Sequence, residues 1–341
     1  MKTIKIAEKS VGEGQPSFII AEACDNHLGD MTTAKEMALQ SKLAGADAVK
    51  YQHHLPDEEM LQEGVPMSDN FNMPLYEFLK LYALTLEQHH ELKEYCDKIG
   101  ILYLCTPFSK KAALEINNLV PAFKIGSGEL TDIPTLKVIA ELGKPMILST
   151  GMSLIKEIDA TVEALNPITD QIALMNCTSE YPPKYEDLNL GVIQKLIDRY
   201  NVPVGHSDHS PDIYSCFGAV SLGAKLIEKH IILDKKQPGP DQSVSIEPYE
   251  LYQLVDGIRK IEAAMGEEKK INDLEKPIRT WARRSIVTLD KIPAGTELTE
   301  ELIWTKRPGT GVEARHLEKF LGKKTTRDLN KDYLIQWEDI E

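Results

Sequence analysis

The sequence predicts an α/β fold, a (β/α)₈ TIM barrel followed by a small, mostly β domain. Eight short apolar runs alternate with amphipathic stretches in the first part of the chain. Eight such units over roughly 250 residues is the number that a barrel requires. A doubly wound parallel sheet is the alternative at this level, but no G-x-G-x-x-G motif follows the first run, which favours the barrel.

The apolar runs predict the barrel strands, because each run is short and is followed by polar or turn-forming residues. They are residues 18–21, 48–51, 101–105, 122–125, 146–148, 172–175, 203–205 and 226–228. Apolar residues at helical spacing between these runs predict the surrounding helices. These helices include residues 31–44, 85–99, 133–142 and 188–200.

The composition changes near Gly266, which divides the chain. Residues 1–266 are the predicted barrel, 267–282 a charged linker, and 283–341 a second domain of short strands and turns. Residues 56–74 are long and polar, and predict an extended loop on the catalytic face of the barrel.

The net charge of −14 argues against a nucleic-acid-binding surface. The five cysteines are scattered without a C-x-x-C pair, and Cys24 and Cys177 are predicted to be small buried residues rather than nucleophiles. No run approaches the roughly 18 apolar residues of a membrane span, and the N-terminus lacks the apolar core of a signal peptide. We therefore expect a reduced, cytoplasmic protein that binds neither membrane nor nucleic acid.

A polar residue stands at or just after the end of every predicted strand. Because barrel strands end on one face, these side chains should line a single pocket for a polar ligand. Lys50 and Lys124 lie within strands, and with nearby hydroxyls they make a cradle for a phosphate and a carboxylate. The hydroxyls belong to Thr106, Ser127, Ser149 and Ser207. Glu22 and Glu129 can accept hydrogen bonds or act as a base.

Two histidines on successive strands predict a divalent metal site. Residues two apart in a strand share a face, so His209 lies with Ser207, and His230 with Glu228. Two imidazoles leave coordination positions open for substrate. His206 is out of phase with His209, which predicts a structural role. Four other histidines are predicted to lie on the surface, namely His53, His54, His89 and His90.

Several motifs follow one another along the chain. They are F-I-I-A-E-A at 18–23, N-H-L-G-D at 26–30, G-A-D-A-V-K-Y-Q at 45–52, T-P-F at 106–108, K-I-G-S-G-E at 124–129, L-S-T-G-M at 148–152, S-D-H at 207–209 and E-K-H at 228–230. With these motifs the chain resembles the sialic acid (nonulosonate) synthase family over nearly its whole length. Residues 283–341, with A-R-R-S at 282–285 and K-R-P-G-T-G at 306–311, resemble that family's antifreeze-like (SAF) domain.

The resemblance implies that phosphoenolpyruvate condenses with an N-acetylmannosamine-type aldose and water, giving a sialic acid and phosphate by metal-assisted C–C bond formation with C–O cleavage. Mn²⁺ is the expected metal, with Mg²⁺ or Co²⁺ as alternatives, and its implied ligands are His209 and His230. The implied catalytic residues are Glu22, Glu129, Lys50 and Lys124. The implied phosphoenolpyruvate-binding residues are Lys50, Thr106, Lys124, Ser127, Ser149, Ser179 and Ser207. The implied sugar-binding residues are Gln52, Phe108, Tyr181, Asp241 and Arg307, the last from the partner subunit of a domain-swapped homodimer.

The chain departs from the family pattern at two places. Ala23-Cys24-Asp25 stands where Ile-Gly-Ile or Ala-Gly-Val is usual, and Ser179 replaces the asparagine of some neuraminate synthases. The first departure can reshape the sugar end of the site. The identity of the acceptor sugar is not assigned, because the family also makes legionaminate and pseudaminate from 6-deoxy-diacetamido hexoses.

Three more distant alternatives also remain open at this point. One is a barrel aldolase that forms a Schiff base through Lys50 or Lys124. A second is a deoxy-heptulosonate or deoxy-octulosonate phosphate synthase, against which the second domain argues. The third is a glycan- or ice-binding protein, which would leave the polar strand ends unexplained.

Overall fold

The computed structural model describes residues 1–67 and 71–341, and it contains the predicted barrel. A short antiparallel hairpin of β1 (Ile4–Ile6) and β2 (Lys9–Val11) precedes it. The barrel strands are β3 (Phe18–Glu22), β4 (Ala48–His53), β5 (Leu102–Pro107), β6 (Phe123–Ile125), β7 (Met146–Ser149), β8 (Ile172–Cys177), β9 (Val204–Asp208) and β10 (Leu226–His230). They pair in parallel and in chain order, and β10 closes the barrel on β3. Each predicted run coincides with one strand, and most strands continue past the predicted carboxyl end.

Helices follow the strands and surround the barrel. They are α1 (Met31–Ala44), α2 (Pro56–Glu59), α3 (Leu75–Tyr82), α4 (Leu86–Ile99), α5 (Lys110–Ile116), α6 (Ile133–Glu141), α7 (Ile155–Leu165), α8 (Val192–Tyr200), α9 (Tyr214–Ser221) and α10 (Pro248–Ala264). Helix α4 shows the local signals clearly: Thr85 and Gln88 form a capping box, and Gly100 ends the helix in the left-handed conformation. Helix α8 begins at Val192, later than residue 188, where the prediction began it.

Two apolar layers form the core of the barrel unit. Residues that alternate along each strand point either inward or outward, so Ile19 faces the helices and Ile20 faces the barrel interior. The hairpin residues Ile4, Ile6 and Val11 pack with the interior layer, beside Phe18 at the start of β3. Apolar side chains thus fill the barrel interior below the strand ends that carry the predicted site residues.

The predicted extended loop at 56–74 contains α2, and Met67 bridges to Pro74 at its far end. Glu59, Met60 and Pro66 from this segment line the cavity described below. Residues 68–70 of the predicted loop lie outside the described residues.

The chain divides into two compact units, Met1–Met265 and Gly266–Glu341. The second unit contains helix α11 (Glu275–Ala282), within the segment predicted as a linker, and the antiparallel pair β11 (Ser285–Thr288) and β12 (Ile303–Lys306). Its own small core includes Ile286, Leu298 and Phe320. Short turns and isolated bridges make up most of the rest, in agreement with the predicted small, mostly β domain. Within residues 1–67 and 71–341, no helix has both the length and the apolarity needed to cross a membrane.

Candidate active site at the carboxyl ends of the barrel strands

A cavity of about 730 Å³ opens at the carboxyl ends of the barrel strands. It brings together residues that are far apart in sequence, because parallel strands of a barrel all end on one face. Fifteen of the predicted site residues line it: Glu22, Lys50, Gln52, Thr106, Phe108, Lys124, Ser127, Glu129, Ser149, Ser179, Tyr181, Ser207, His209, His230 and Asp241. The remaining one, Arg307, belongs to the second unit.

Two lysines and two glutamates form a buried network at the centre of this cavity. Lys50 Nζ lies 2.6 Å from Glu22 Oε2 and 3.9 Å from Glu228 Oε2. Lys124 Nζ lies 3.2 Å from Glu228 Oε1. Glu228 was not among the predicted site residues, although it was predicted to share a strand face with His230. It bridges both lysines.

The charges of this network shift the pKa values of its members. Burial opposes the charged form of Glu228, but the ammonium groups of Lys124 and Lys50 outweigh burial and lower the pKa of this carboxyl. Burial raises the pKa of Glu22, against the opposing charge of Lys50. Burial also opposes the charge on Lys50, yet Glu22 and Glu228 together raise the pKa of its ammonium group. Lys50 therefore stays an ammonium ion.

Each lysine also donates a hydrogen bond to a hydroxyl on the next strand. Lys50 Nζ donates to Thr106 Oγ1 at 2.9 Å, and Lys124 Nζ donates to Ser149 Oγ at 2.8 Å. Ser207 Oγ donates to Glu228 Oε1 at 3.1 Å. These contacts join β4 to β5, β6 to β7 and β9 to β10, so the strand register fixes the positions of the charged groups.

A second group of hydroxyls surrounds Gly151, just after β7. Gly151 N donates to Ser127 Oγ at 3.1 Å. A Cβ at position 151 would lie 2.3 Å from Ser179 Oγ and 2.7 Å from Ser127 Oγ, so only glycine leaves room for both. The close approach of the backbone thus brings the hydroxyls of Ser127 and Ser179 together at Gly151.

The other half of the cavity is built around His54. This ring faces Gln52 Oε1 through Nε2 at 3.0 Å and Glu59 Oε1 through Nδ1 at 2.9 Å. It stacks on Phe108 with ring centroids 4.1 Å apart. Gln52 Nε2 donates in turn to Glu22 Oε1 at 2.9 Å. Both nitrogens of His54 meet acceptors, which suits the protonated ring.

The pKa directions agree with that geometry. Burial disfavours a charged His54, but Glu59 and Asp25 outweigh burial and raise its pKa. Burial raises the pKa of Asp25 to about 6, and His54 opposes this rise. Burial also raises the pKa of Glu129. Among the described residues, Glu129 Oε2 has no hydrogen-bond partner, so it is free to accept one from a ligand.

The surface prediction for the histidines was wrong for His53, His54 and His89, all of which are buried. His53 Nε2 meets Glu115 Oε2 at 2.9 Å, and His89 Nδ1 meets the hydroxyl of Tyr103 at 2.7 Å. Contacts from distant elements offset the cost of burying these rings.

Two other histidine predictions agree with the structure. His90 is exposed, and His206 lies outside the cavity, with its Nδ1 3.2 Å from the carbonyl oxygen of Asn176 and its Nε2 3.3 Å from Asp208. The cysteine prediction holds for Cys24, which is buried, whereas Cys177 is half-buried and lines the cavity.

His209 and His230 lie together at one side of the cavity, with ring centroids 5.2 Å apart. His209 Nδ1 donates to the carbonyl oxygen of Thr178 at 2.8 Å, and its Nε2 accepts from the hydroxyl of Tyr181 at 3.1 Å. His230 Nδ1 lies 3.5 Å from Asp241 Oδ2. Burial lowers the pKa of His230 well below its ordinary value.

These residues fit a divalent metal. A backbone carbonyl that holds Nδ1–H of His209 leaves Nε2 with its lone pair, the usual state of a metal-binding histidine. Among the described residues, His230 Nδ1 is buried without a hydrogen-bond partner. Donor atoms of Cys24, His230 and Asp241 all lie within 4.8 Å of one another. The sequence had not singled out Cys24 as part of this cluster.

Arg307 is exposed in the second unit, just after β12. Its guanidinium group lies over the ring of Trp281, 4.8 Å from the centroid. Such a contact holds a long side chain in place while its N–H groups stay available.

Comparisons with known proteins agree with these features. The model of the NeuB family matches residues 37–270, and that of the SAF domain matches residues 283–341. The chain is 37% identical to N,N'-diacetyllegionaminic acid synthase of Legionella pneumophila, covering 98% of this chain and 97% of that protein. It is 33% identical to N-acetylneuraminate-9-phosphate synthase of Homo sapiens, covering 97% and 94%.

A solved structure, that of N-acetylneuraminic acid (sialic acid) synthetase from Leptospira borgpetersenii, matches with a TM-score of 0.74 and 31% identity. The match covers 81% of this chain and 95% of that chain. The family model spans more than half of the sequence, and the relatives align over almost all of it. The chain therefore belongs to the NeuB family of nonulosonate synthases.

Proposed function

We propose that this enzyme condenses phosphoenolpyruvate with an N-acylated, mannosamine-type aldose and water, releasing phosphate and a sialic acid or a close nonulosonate. The observation that carries the proposal is the pair Lys50 and Lys124, each 3% exposed and each bonded to a hydroxyl in one cavity. Two fixed ammonium groups match a small ligand with a phosphate and a carboxylate. The volume is within the roughly 300 to 1,000 Å³ of small-molecule sites.

Phosphoenolpyruvate would bind at the lysine network. Its anionic groups would meet Lys50 and Lys124, with hydrogen bonds from Thr106 and Ser149. Ser127, Ser179 and Ser207 are the further hydroxyls proposed to bind it. These donors stay in place as the phosphate leaves, so they stabilise the charge that develops on it.

In the proposed reaction, C3 of phosphoenolpyruvate attacks the aldehyde carbon of the open-chain sugar. Water then adds at C2, and the hemiketal phosphate collapses with cleavage of the C–O bond. Glu22 and Glu129 are the candidates to take the proton of that water. Glu22 is tied to Lys50 at 2.6 Å, whereas Glu129 has one buried oxygen with no partner among the described residues.

The sugar would lie between the His54 half of the cavity and the histidine pair. Gln52, Phe108, Tyr181 and Asp241 line that space. A divalent metal held by His209 and His230, Mn²⁺ or else Mg²⁺ or Co²⁺, would supply Lewis-acid polarisation of the aldehyde oxygen. The hydroxyl of Tyr181, which donates to Nε2 of His209 in this structure, would give up that hydrogen bond when the nitrogen binds the metal.

The acceptor decides which product forms, and the relatives' names include both an N,N'-diacetyllegionaminic acid synthase and an N-acetylneuraminate-9-phosphate synthase. The test measures phosphate release from phosphoenolpyruvate with N-acetylmannosamine, its 6-phosphate, and the 6-deoxy-diacetamido hexoses that lead to legionaminate and pseudaminate. We expect the highest kcat/KM with an N-acetylmannosamine-type sugar. A preference for a diacetamido hexose would reassign the product, and no release with any sugar would refute the proposal.

We expect C–O rather than P–O cleavage, because the lysines and hydroxyls surround the phosphate as an intact leaving group. Phosphoenolpyruvate labelled with ¹⁸O at the bridging position should deliver the label to inorganic phosphate, measured by mass spectrometry. Label retained in the sugar acid would contradict the mechanism.

A Schiff-base aldolase is less well supported. Its lysine must lose a proton to attack a carbonyl, but Glu22 and Glu228 raise the pKa of Lys50 and keep it charged. Borohydride added with substrates should trap no lysine adduct, whereas an adduct at Lys50 or Lys124 would favour the aldolase.

We also propose a domain-swapped homodimer in which Arg307 of one subunit binds the sugar in the barrel of the other. Arg307→Ala should raise the KM for the sugar at least about tenfold, the loss expected for a charge-assisted hydrogen bond. The KM for phosphoenolpyruvate should stay nearly unchanged. Arg315→Ala is the matched control, because Arg315 is an exposed arginine of the same unit, paired with Glu313.

Mixed dimers test the swap directly. At a sugar concentration well below the wild-type KM, the Arg307→Ala homodimer should keep at most about a tenth of the wild-type rate. The His209→Ala homodimer should keep about a hundredth or less. Their heterodimer has one intact site, so it should regain up to about half of the wild-type activity. A verified heterodimer without recovery would show that Arg307 does not serve the partner's barrel.

A further inference from the structure

The loop after β3 brings a thiol to the histidine side of the cavity. Donor atoms of Cys24, His230 and Asp241 lie within 4.8 Å of one another, and His230 Nδ1 is already 3.5 Å from Asp241 Oδ2. Ligands on a tetrahedral zinc ion are roughly 3.5 Å apart, from bond lengths near 2.0 to 2.3 Å. A movement of about 1 Å would therefore bring all three donors onto one cation.

The unsatisfied nitrogen of His230 is an independent sign of a missing ligand. His230 is 4% exposed, and its Nδ1 has no hydrogen-bond partner among residues 1–67 and 71–341. Buried polar atoms almost always have a partner, so an unpartnered ring nitrogen 3.5 Å from a carboxylate oxygen calls for an explanation. A cation between the three groups would supply one.

The backbone holds Cys24 in this place at a conformational cost. Its φ is 40°, in the left-handed region that residues with a side chain seldom occupy. Asn26 joins the two loops of the cluster: its Nδ2 donates to Ile231 O at 2.9 Å, and its Oδ1 accepts from Asp241 N at 3.2 Å. Strain of this kind persists where the surroundings impose it, often at ligand sites.

We propose that the Cys24 thiolate and Asp241 join His230 in binding the divalent metal of this cavity, so that the site of this chain prefers Zn²⁺ or Co²⁺ to the Mn²⁺ or Mg²⁺ that the resemblance to the family implies. A thiolate is a soft ligand, whereas Mg²⁺ and Mn²⁺ favour oxygen donors. On coordination the thiol proton leaves to solvent, and the sulfur–metal bond forms with its electron pair. The inference rests on the proposed function only for what the metal does, since binding itself follows from the three donors.

The test is cobalt binding to the full-length protein after chelator treatment and dialysis, without oxygen. Wild-type protein should show the near-ultraviolet absorption of thiolate-to-Co²⁺ charge transfer at one equivalent. Cys24→Ser should lose this band. Its affinities for Co²⁺ and Zn²⁺ should fall at least about 10- to 100-fold, which is the loss caused by removing an outer-shell partner of a metal ligand. Competition with a chromophoric chelator measures these affinities. Its Mg²⁺ affinity should change little.

Three further variants keep the result interpretable. Cys24→Gly removes the thiol but suits the left-handed backbone, so it should fold with an unchanged Tm and also lack the band. Cys177→Ser removes the thiol that lines the cavity, whose Sγ is 4.0 Å from His209 Nδ1, and Cys105→Ser removes a thiol of the core. Both should keep the band.

No band in the wild-type protein, or a band lost in Cys177→Ser but kept in Cys24→Ser, would overturn the proposal. Phosphate release is assayed separately. A protein that binds Co²⁺ through Cys24 but releases no phosphate would refute the proposed function alone. Full phosphate release without a thiolate band would refute this inference alone.

Discussion

Replacing either His209 or His230 by alanine is expected to lower the rate of phosphate release about 10²-fold or more. This is the magnitude of losing a major electrostatic stabiliser of a transition state. The two rings lie together at the cavity, with centroids 5.2 Å apart, and Nδ1 of His230 has no hydrogen-bond partner among the described residues. Steady-state kinetics with phosphoenolpyruvate and the best acceptor of the panel measure the effect.

Metal removal should have the same effect on the unchanged protein. Turnover should disappear after treatment with a chelator and return when Mn²⁺, Co²⁺ or Mg²⁺ is added. His90→Ala is the matched control, because His90 is an exposed histidine on α4, and it should keep wild-type activity. Full activity in excess chelator after dialysis would show that the reaction needs no metal.

The barrel could be predicted because each of its strands is a short apolar run in a regular alternation. The polar strand ends could be assigned to one pocket because the fold itself places all carboxyl ends on one face. The hairpin β1–β2 carries no comparable signal, since its strands have three residues each. Its apolar residues gain their role only by packing into the barrel interior.

Burial of individual polar residues was harder to predict. His53, His54 and His89 occur in polar stretches that look exposed along the chain. Their partners are Glu115, Glu59 and Tyr103, and all three come from other elements of the fold, α5, α2 and β5. A local pattern contains no information about such pairs, because tertiary contacts alone decide whether an imidazole is buried.

The same limit applies to Glu228 and Cys24. The phase of β10 places Glu228 toward the interior, but only barrel closure brings Lys50 and Lys124 to its two oxygens. The position of Cys24 beside His230 likewise depends on the pairing of β3 with β10, which lie at opposite ends of the barrel sequence. Contacts between strands that are far apart in the chain can be identified only from the structure.

Glu228→Gln is expected to lower the free energy of unfolding by about 3 to 5 kcal/mol, the usual cost of breaking a buried ion pair by removing one partner. Glutamine keeps the volume and can still accept from Ser207, so the change is mainly one of charge. Lys50 retains Glu22 at 2.6 Å, but Lys124 loses its only ion pair in the described part of the chain. Urea denaturation at neutral pH measures the loss.

The same variant tests where phosphoenolpyruvate binds. A ligand that binds only the folded protein stabilises it by an amount set by its concentration and Kd. If the substrate anion rests on Lys50 and Lys124, it replaces the negative charge that Glu228→Gln removes. Saturating phosphoenolpyruvate should then raise the Tm of the variant by more than it raises the Tm of the wild-type protein.

Glu94→Gln is the matched control, since it neutralises an exposed glutamate on α4. It should leave both the unfolding free energy and the phosphoenolpyruvate-induced change in Tm as they are in the wild-type protein. An equal change in Tm for Glu228→Gln and wild type would mean that the anion binds away from the two lysines. In that case the lysine network would be a structural feature of the barrel, and the proposed phosphoenolpyruvate site would be wrong.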